Sequence, residues 1–254
     1  MKARKRIFLG LIPALMVLFV SFFIFLQSNY YPPIIMYHSV GPASVNTPVV
    51  SKRIFRKQLE YLRDKKFKVV PLSKIAEMMK NNRVPRRVIA ITFDDGYKNN
   101  LDAAKVLKEF GFPATIFMIV HNIGKKGYLS LDDLHDITDN TPVSIGAHTL
   151  NHRYLPEASP SEQKREIAGS KMRLENMLGV EVESISYPTG GFNEVTLKTV
   201  KAAGYVCGVT TNRGDGRSVF ALKRVKFNND DGRLGLWAKL SGFYDVFRKR
   251  KNPY

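Results

Sequence analysis

The sequence predicts an α/β fold: parallel strands curled into a closed or nearly closed (β/α) barrel of about seven strands, preceded by one N-terminal transmembrane helix. Three observations predict it. Short apolar strands alternate with amphipathic helical patterns through seven or eight units. Ahead of them lies an uncharged apolar stretch of bilayer-spanning length. In "AITFDDGYKNN", finally, Asp94 and Asp95 stand side by side where an apolar strand ends, the place where such barrels carry their chemistry.

Residues 1–6 form a basic tail containing "KARKR", and residues 7–26, "IFLGLIPALMVLFVSFFIFL", form the apolar run. Residues 27–33 are an uncharged linker. The positive-inside rule keeps the N-terminus in the cytoplasm and exports the remainder, giving a single-pass cell-membrane protein with an extracytoplasmic domain. A cleaved signal peptide is the alternative. The length of the run and the absence of a small-x-small site favour an uncleaved anchor.

The catalytic domain is expected over residues 34–232. "PIIMYHSV" opens it as a strand, and "SKRIFRKQLEYLRDKKF" follows as a helix capped by Ser51. Residues 41–50 read as a loop bordering a cleft. "KVVP" precedes a helix over Leu72–Lys80. The strands "RVIAITF", "ATIFMIV", "PVSIGAH", "SISYP", "YVCGVTT" and "LKRVKF" complete the pattern, with helices between them. Gly111 and Gly179 sit where two of those helices should stop. Residues 233–254 read as a basic amphipathic helix carrying Leu234, Trp237, Leu240, Tyr244 and Phe247, either docked on the barrel or lying on anionic lipid.

The 254 residues are 44% hydrophobic, enough for a sizeable core, and carry a net charge of +18. A basic surface fits an anionic lipid or wall polymer, while export argues against nucleic acid. Cys207 is the sole cysteine, so no intramolecular disulfide is available, and it reads as a packed thiol.

Two adjacent anions at the mouth of a core repel each other and resist losing water. The second polar cluster, "GAHTLNHRYL", answers them. On a strand His148 and His152 would be about 13 Å apart. In a helical turn their Cβ atoms approach to about 6 Å, suitable for one metal ion. One carboxylate and two imidazoles form a three-ligand site with open positions, which suits a catalytic divalent cation. The other carboxylate is then free to act as a base.

"TFDDGY", "HTLNHRYL" and "SYPTGGFN" resemble successive motifs of the polysaccharide deacetylases, carbohydrate esterase family four, over residues 34–227. The resemblance implies a distorted barrel and a metal, usually zinc, held by Asp95, His148 and His152, with Asp94 as catalytic base. It also implies that the Thr189 N–H, after Pro188, helps hold the oxyanion, with Tyr187 alongside in the substrate-binding motif.

Two departures stand out. Family members often carry an arginine just before the third motif's proline, and "SISYP" has none. No histidine follows His152, although a late Leu-x-His motif often supplies the general acid. "IIMYHSV" resembles instead the circularly permuted poly-N-acetylglucosamine deacetylases of biofilm systems, in which His38 matches the acid. His121 and His135 lack such context and read as solvated. The implied activity is removal of N-acetyl groups from an N-acetylglucosamine-containing surface polysaccharide, with release of acetate. Alternatives are an O-acetyl esterase of the same family and a non-catalytic, membrane-tethered glycan-binding protein with a vestigial barrel.

Overall fold

The structure, a computed structural model, describes residues 15–25, 28–41, 49–211, 213, 214, 216, 218–244 and 251–254. Helix α1 (residues 15–25) is exposed along its whole described length. Among the described residues no helix is long and apolar enough to cross a membrane. The rest of the apolar run lies outside the described residues.

The domain begins with β1 (Ile34–Tyr37), β2 (Ser39–Val40), β3 (Val49–Val50), α2 (Lys52–Asp64), β4 (Lys68–Val69) and α3 (Leu72–Lys80). Its centre holds β5 (Val88–Phe93), α4 (Asn100–Phe110), β6 (Ala114–Met118), α5 (Leu131–Asn140), β7 (Val143–Ala147) and α6 (Pro160–Leu178). It finishes with β8 (Ser184–Ser186), α7 (Glu194–Ala202), β9 (Cys207–Val209), β10 (Val225–Lys226) and α8 (Arg233–Leu240).

Seven parallel strands run in the order β10-β1-β5-β6-β7-β8-β9, and β4 adds to the start of β5. The sheet curls until the segment leading into β10 links its two ends. Val209 bridges Leu222, the Thr210 N–H donates to the Leu222 carbonyl at 2.8 Å, and β10 pairs with β1. Closure thus comes from one chain segment rather than from two full strands.

Local chemistry accounts for the helices. The Ser51 hydroxyl accepts from the Ile54 N–H at the start of α2. Ser159 and Glu162 form a reciprocal capping box ahead of α6, with Pro160 in its first turn. Gly111 and Gly179 end α4 and α6 in the left-handed conformation that a glycine adopts without steric cost.

Strand alternation sorts the core into two sides. On β5, Ile89, Ile91 and Phe93 join the large cluster shared with the helices, in which Tyr37, Phe55, Phe93 and Phe227 pack ring against ring. Val88 and Ala90 join Ile34, Phe117, Cys207, Val209 and Leu222 on the other side, where Leu72, Ile75 and Ala76 of α3 pack against them. The same alternation carries that second side upward to Thr92 and then Asp94.

Three stretches differ from the sequence reading. Val49–Val50 is a strand rather than loop, because it pairs in parallel with Ser39–Val40; residues 42–48 lie outside the described residues. The last helix stops at Leu240, burying Leu236 and Leu240 while Leu234 and Trp237 stay exposed. Phe247 lies outside the described residues. Residues 30 and 31 are docked rather than free: the Tyr31 N–H donates to the Gly242 carbonyl at 2.9 Å, the Lys223 N–H to the Tyr31 hydroxyl at 2.8 Å, and Tyr30 packs edge-on against Phe243.

Candidate active site

Asp94 and Asp95 follow the last residue of β5, and the two carboxylates meet different partners. Asp94 points along the inner column, where Arg224 forms a bidentate pair with it: Nη1 to Oδ1 and Nη2 to Oδ2, both at 2.7 Å. The guanidinium also donates to Thr92 Oγ1 at 3.1 Å, Ser186 Oγ at 2.9 Å and the Thr210 carbonyl at 2.9 Å. All five of its N–H donors are thereby satisfied. The Arg224 side chain is wholly buried and that of Asp94 nearly so. Burial alone would raise the pKa of Asp94; Arg224, His148 and the hydrogen bonds outweigh it and hold the carboxyl well below the usual range.

"SISYP" holds no arginine, and the guanidinium that grips Asp94 is that of Arg224, which arrives from just before β10. Sequence reading missed it. The only signal was an arginine inside the short strand "LKRVKF", disguised by the lysines on either side.

Asp95 turns the other way. It and Gly96 both adopt φ of 72°, and a side chain on Gly96 would overlap the Met118 sulfur. Asp95 Oδ1 lies 3.4 Å from His148 Nε2 and 3.6 Å from His152 Nε2. Four-coordinate zinc with bonds near 2.0–2.1 Å holds its ligand atoms about 3.3 Å apart, which the two Asp95 spacings approach, and the three ligand atoms lie within 4.8 Å of one another, so this carboxylate and two imidazoles could gather round one divalent ion. His148 Nδ1 lies 2.7 Å from the Ser186 carbonyl; the N–H must sit there, leaving the Nε2 lone pair toward the centre. Burial would raise Asp95, but the hydrogen bond and charge of His148 lower it overall. Burial would lower His148, and Asp95 and Asp94 reverse that; His152 is lowered by burial and by His148.

The histidines are not joined by the expected helical turn. β7 ends at Ala147, and the chain then reverses through two left-handed residues, Thr149 (φ 63°) and His152 (φ 60°). The Thr149 hydroxyl accepts from the His152 N–H at 3.0 Å. Glu166 of α6, buried, pins the turn from behind: Oε2 accepts the Leu150 and Asn151 N–H groups at 3.0 and 2.9 Å, and Oε1 accepts from Asn151 Nδ2 at 2.6 Å. His121 is exposed, yet its ring is not merely solvated. Arg173 can only donate, so His121 Nε2 accepts from it at 2.5 Å and Nδ1–H donates to Asn151 Oδ1 at 2.6 Å. His135 lies on α5.

A pocket of about 130 Å³ collects Met36, His38, Asp94, Asp95, His148, His152, Tyr187, Thr189, Gly190 and Thr211. That is the space of roughly four waters, enough for an acetamido group. His38 follows β1, and its buried Nδ1 has no hydrogen-bond partner. Burial pulls its pKa down, Asp94 and Asp95 pull it up, and burial prevails. Thr189 sits in the wall at φ 53°, with its carbonyl held by Arg213 Nε at 3.1 Å. The Tyr187 ring lines the pocket, but its hydroxyl is committed to the Phe220 carbonyl. Pro188 starts this turn and is not among the lining residues. Six of the eight expected residues therefore converge with Tyr187 on one cavity, and Pro188 shapes its wall.

Comparison with known proteins identifies the family. The polysaccharide deacetylase family profile matches residues 81–208. YxkH of Bacillus subtilis (strain 168), named for the same family, is 37% identical over 199 residues, covering 76% of this chain and 70% of its own. The poly-β-1,6-N-acetyl-D-glucosamine N-deacetylase of Staphylococcus aureus (strain MSSA476) is 26% identical over 220 residues, covering 77% of this chain and 73% of its own. The Streptococcus pyogenes deacetylase PplD, solved in complex with acetate, superposes with a TM-score of 0.76 at 27% identity, covering 82% of this chain and 97% of its own. The chain belongs to the polysaccharide deacetylase family, a class of hydrolytic deacetylases.

Proposed function

We propose that the protein is a membrane-anchored, metal-dependent N-deacetylase of an N-acetylglucosamine-containing surface polysaccharide, with zinc as its ion. The observation that carries this reading is the pairing of Asp95 Oδ1 with two imidazole nitrogens at 3.4 and 3.6 Å, beside a second carboxylate clamped by Arg224. Asp95, His148 and His152 would hold the divalent ion, which would supply Lewis acidity toward the acetamido carbonyl and lower the pKa of a water. Asp94, kept anionic by Arg224, accepts a proton from the attacking water. The Thr189 N–H donates to the oxyanion as the carbonyl becomes tetrahedral. His38 protonates the leaving nitrogen when it carries its second proton, a form that burial disfavours and Asp94 and Asp95 favour, since an unprotonated amine anion is a very poor leaving group. Acetate and a free amino sugar result.

Kinship with the Staphylococcus aureus enzyme favours a β-1,6-linked polymer as first substrate to try. The anchor is supported by the apolar run at 7–26 and by the exposed apolar side chains of α1, from Leu15 to Phe25. Membrane fractionation with protease access from outside tests it, and a soluble, trimmed product would make the run a signal peptide.

The catalytic reading is tested on purified full chain by metal analysis and acetate release from N-acetylated β-1,6-glucosamine oligomers, with O-acetylated analogues alongside. His148→Ala should lose metal and activity together, and Asp94→Asn should lose activity with metal retained. Metal loss in Asp94→Asn equal to that in His148→Ala would refute the division of labour between the aspartates. A metal-replete chain that binds the oligomers and releases no acetate would make it a glycan-binding protein.

A further inference from the structure

We infer that the β4–β5 corner at the N-terminal end of the barrel is a docking face for an anionic bilayer surface, so that the active-site pocket opens away from the membrane. The inference rests on the anchor reading above. Lys65, Lys66 and Lys68 lie just before and within β4, and Arg83, Arg86 and Arg87 lie just before β5. Register joins the two groups, because Lys68 pairs with Val88 and its N–H donates to the Arg87 carbonyl at 2.8 Å. All six cations are exposed. The only acids between residues 64 and 87 are Asp64 and Glu77, which pair with Arg63 and Lys74. Among the described residues, none of the six forms an ion pair.

The chain enters the barrel at this same end. The Ala90 N–H donates to the Pro33 carbonyl, and the Arg86 guanidinium lies 5.5 Å from the Tyr30 ring and 5.4 Å from that of Phe243. From residue 25 of α1 to Tyr30 the chain spans at most about 18 Å. With the apolar run in the bilayer, the short tether keeps the cations near the headgroups, and those that come within a Debye length of about 8 Å are attracted to anionic lipid. Asp94 lies at the other end of β5, roughly 20 Å away. A mobile anionic wall polymer would need no such coincidence of charge and tether, so the lipid surface is the occupant favoured.

The test uses the full chain in nanodiscs of phosphatidylcholine with or without phosphatidylglycerol, with lysine acetylation rates read by mass spectrometry. Lys65, Lys66 and Lys68 should be modified roughly fivefold more slowly in the anionic discs, and high salt should abolish the difference. Lys125, beyond the opposite end of β6, should react equally in both. A Lys65→Glu, Lys66→Glu, Arg87→Glu variant should lose the protection of Lys68. Insertion with equal rates in the two lipids would overturn the docking face alone. Protection by a soluble glycerol-phosphate polymer in place of anionic lipid would overturn it in favour of the wall. Failure to enter either disc would overturn the anchor reading, and this inference with it.

Discussion

The two ends of the barrel handle charge in opposite ways. At the C-terminal end, Arg224, Asp94, Asp95 and His148 are buried or nearly so, and each has a named partner within reach. At the β4–β5 corner of the N-terminal end six cations stand in solvent with no ion pair among the described residues. The difference separates two uses of electrostatics. Buried charges act at short range and demand geometry, and exposed ones sum into a field that tolerates sloppiness. Substitution should therefore cost much at the first end and little at the second.

The largest effect is expected at Arg224. Arg224→Met leaves Asp94 buried without compensation and should cost about 3–5 kcal/mol together with measurable deacetylation. Adding Asp94→Asn should restore much of the stability and none of the activity, as read by urea unfolding and acetate release. A single-variant loss below about 1 kcal/mol would erase the contrast between the ends. Arg224→Lys should rescue poorly, because an ammonium cannot match the bidentate fork.

His38 comes next. His38→Ala should slow amide hydrolysis by roughly 10²–10⁴-fold with metal retained. Hydrolysis of an activated aryl acetate, whose phenolate leaves without an acid, should suffer much less. Equal losses on both substrates would reduce His38 to a structural role.

A smaller change is expected behind the histidine turn. Glu166→Gln replaces one acceptor facing the turn by a donor, and metal affinity should fall roughly 10–100-fold in chelator competition. If affinity holds while thermal stability drops, Glu166 supports only the fold.

The smallest effect belongs to the other end. Lys66→Glu should shift stability by no more than about 0.5 kcal/mol and leave turnover of short soluble oligosaccharides unchanged. A large loss there would show that this face is coupled to the pocket.

What could be read beforehand follows the same divide between local and distant contacts. Helix α3 runs over Leu72–Lys80 as its apolar spacing predicts, and Ser51, Gly111 and Gly179 cap helices where expected, because each depends on neighbours in sequence. Asp94, Asp95, His148 and His152 were legible because each pair lies within one short motif. Arg224 was not, since its partner is 130 positions away and its strand resembles an ordinary basic one. The clamp of Glu166 on the histidine turn was hidden likewise, because a glutamate on a helix announces no distant backbone partner. The left-handed turn after Ala147 replaces the expected helical one because the Thr149 hydroxyl and the Glu166 carboxylate, rather than carbonyls four residues back, accept its N–H groups.

The position of Arg224 also sets a schedule. A ribosome releases Asp94 long before it releases the residue that neutralises it, so a chain emerging in vectorial order holds an uncompensated carboxylate while the next 130 residues are made. Stable burial of that end of β5 must wait for β10 to dock beside β1. The strand that closes the barrel is then also the one that completes the pocket, which makes hydrolytic competence a property of the finished chain. Fragments ending before β10 would be left both open-edged and inert, and they would be exposed to quality-control proteolysis.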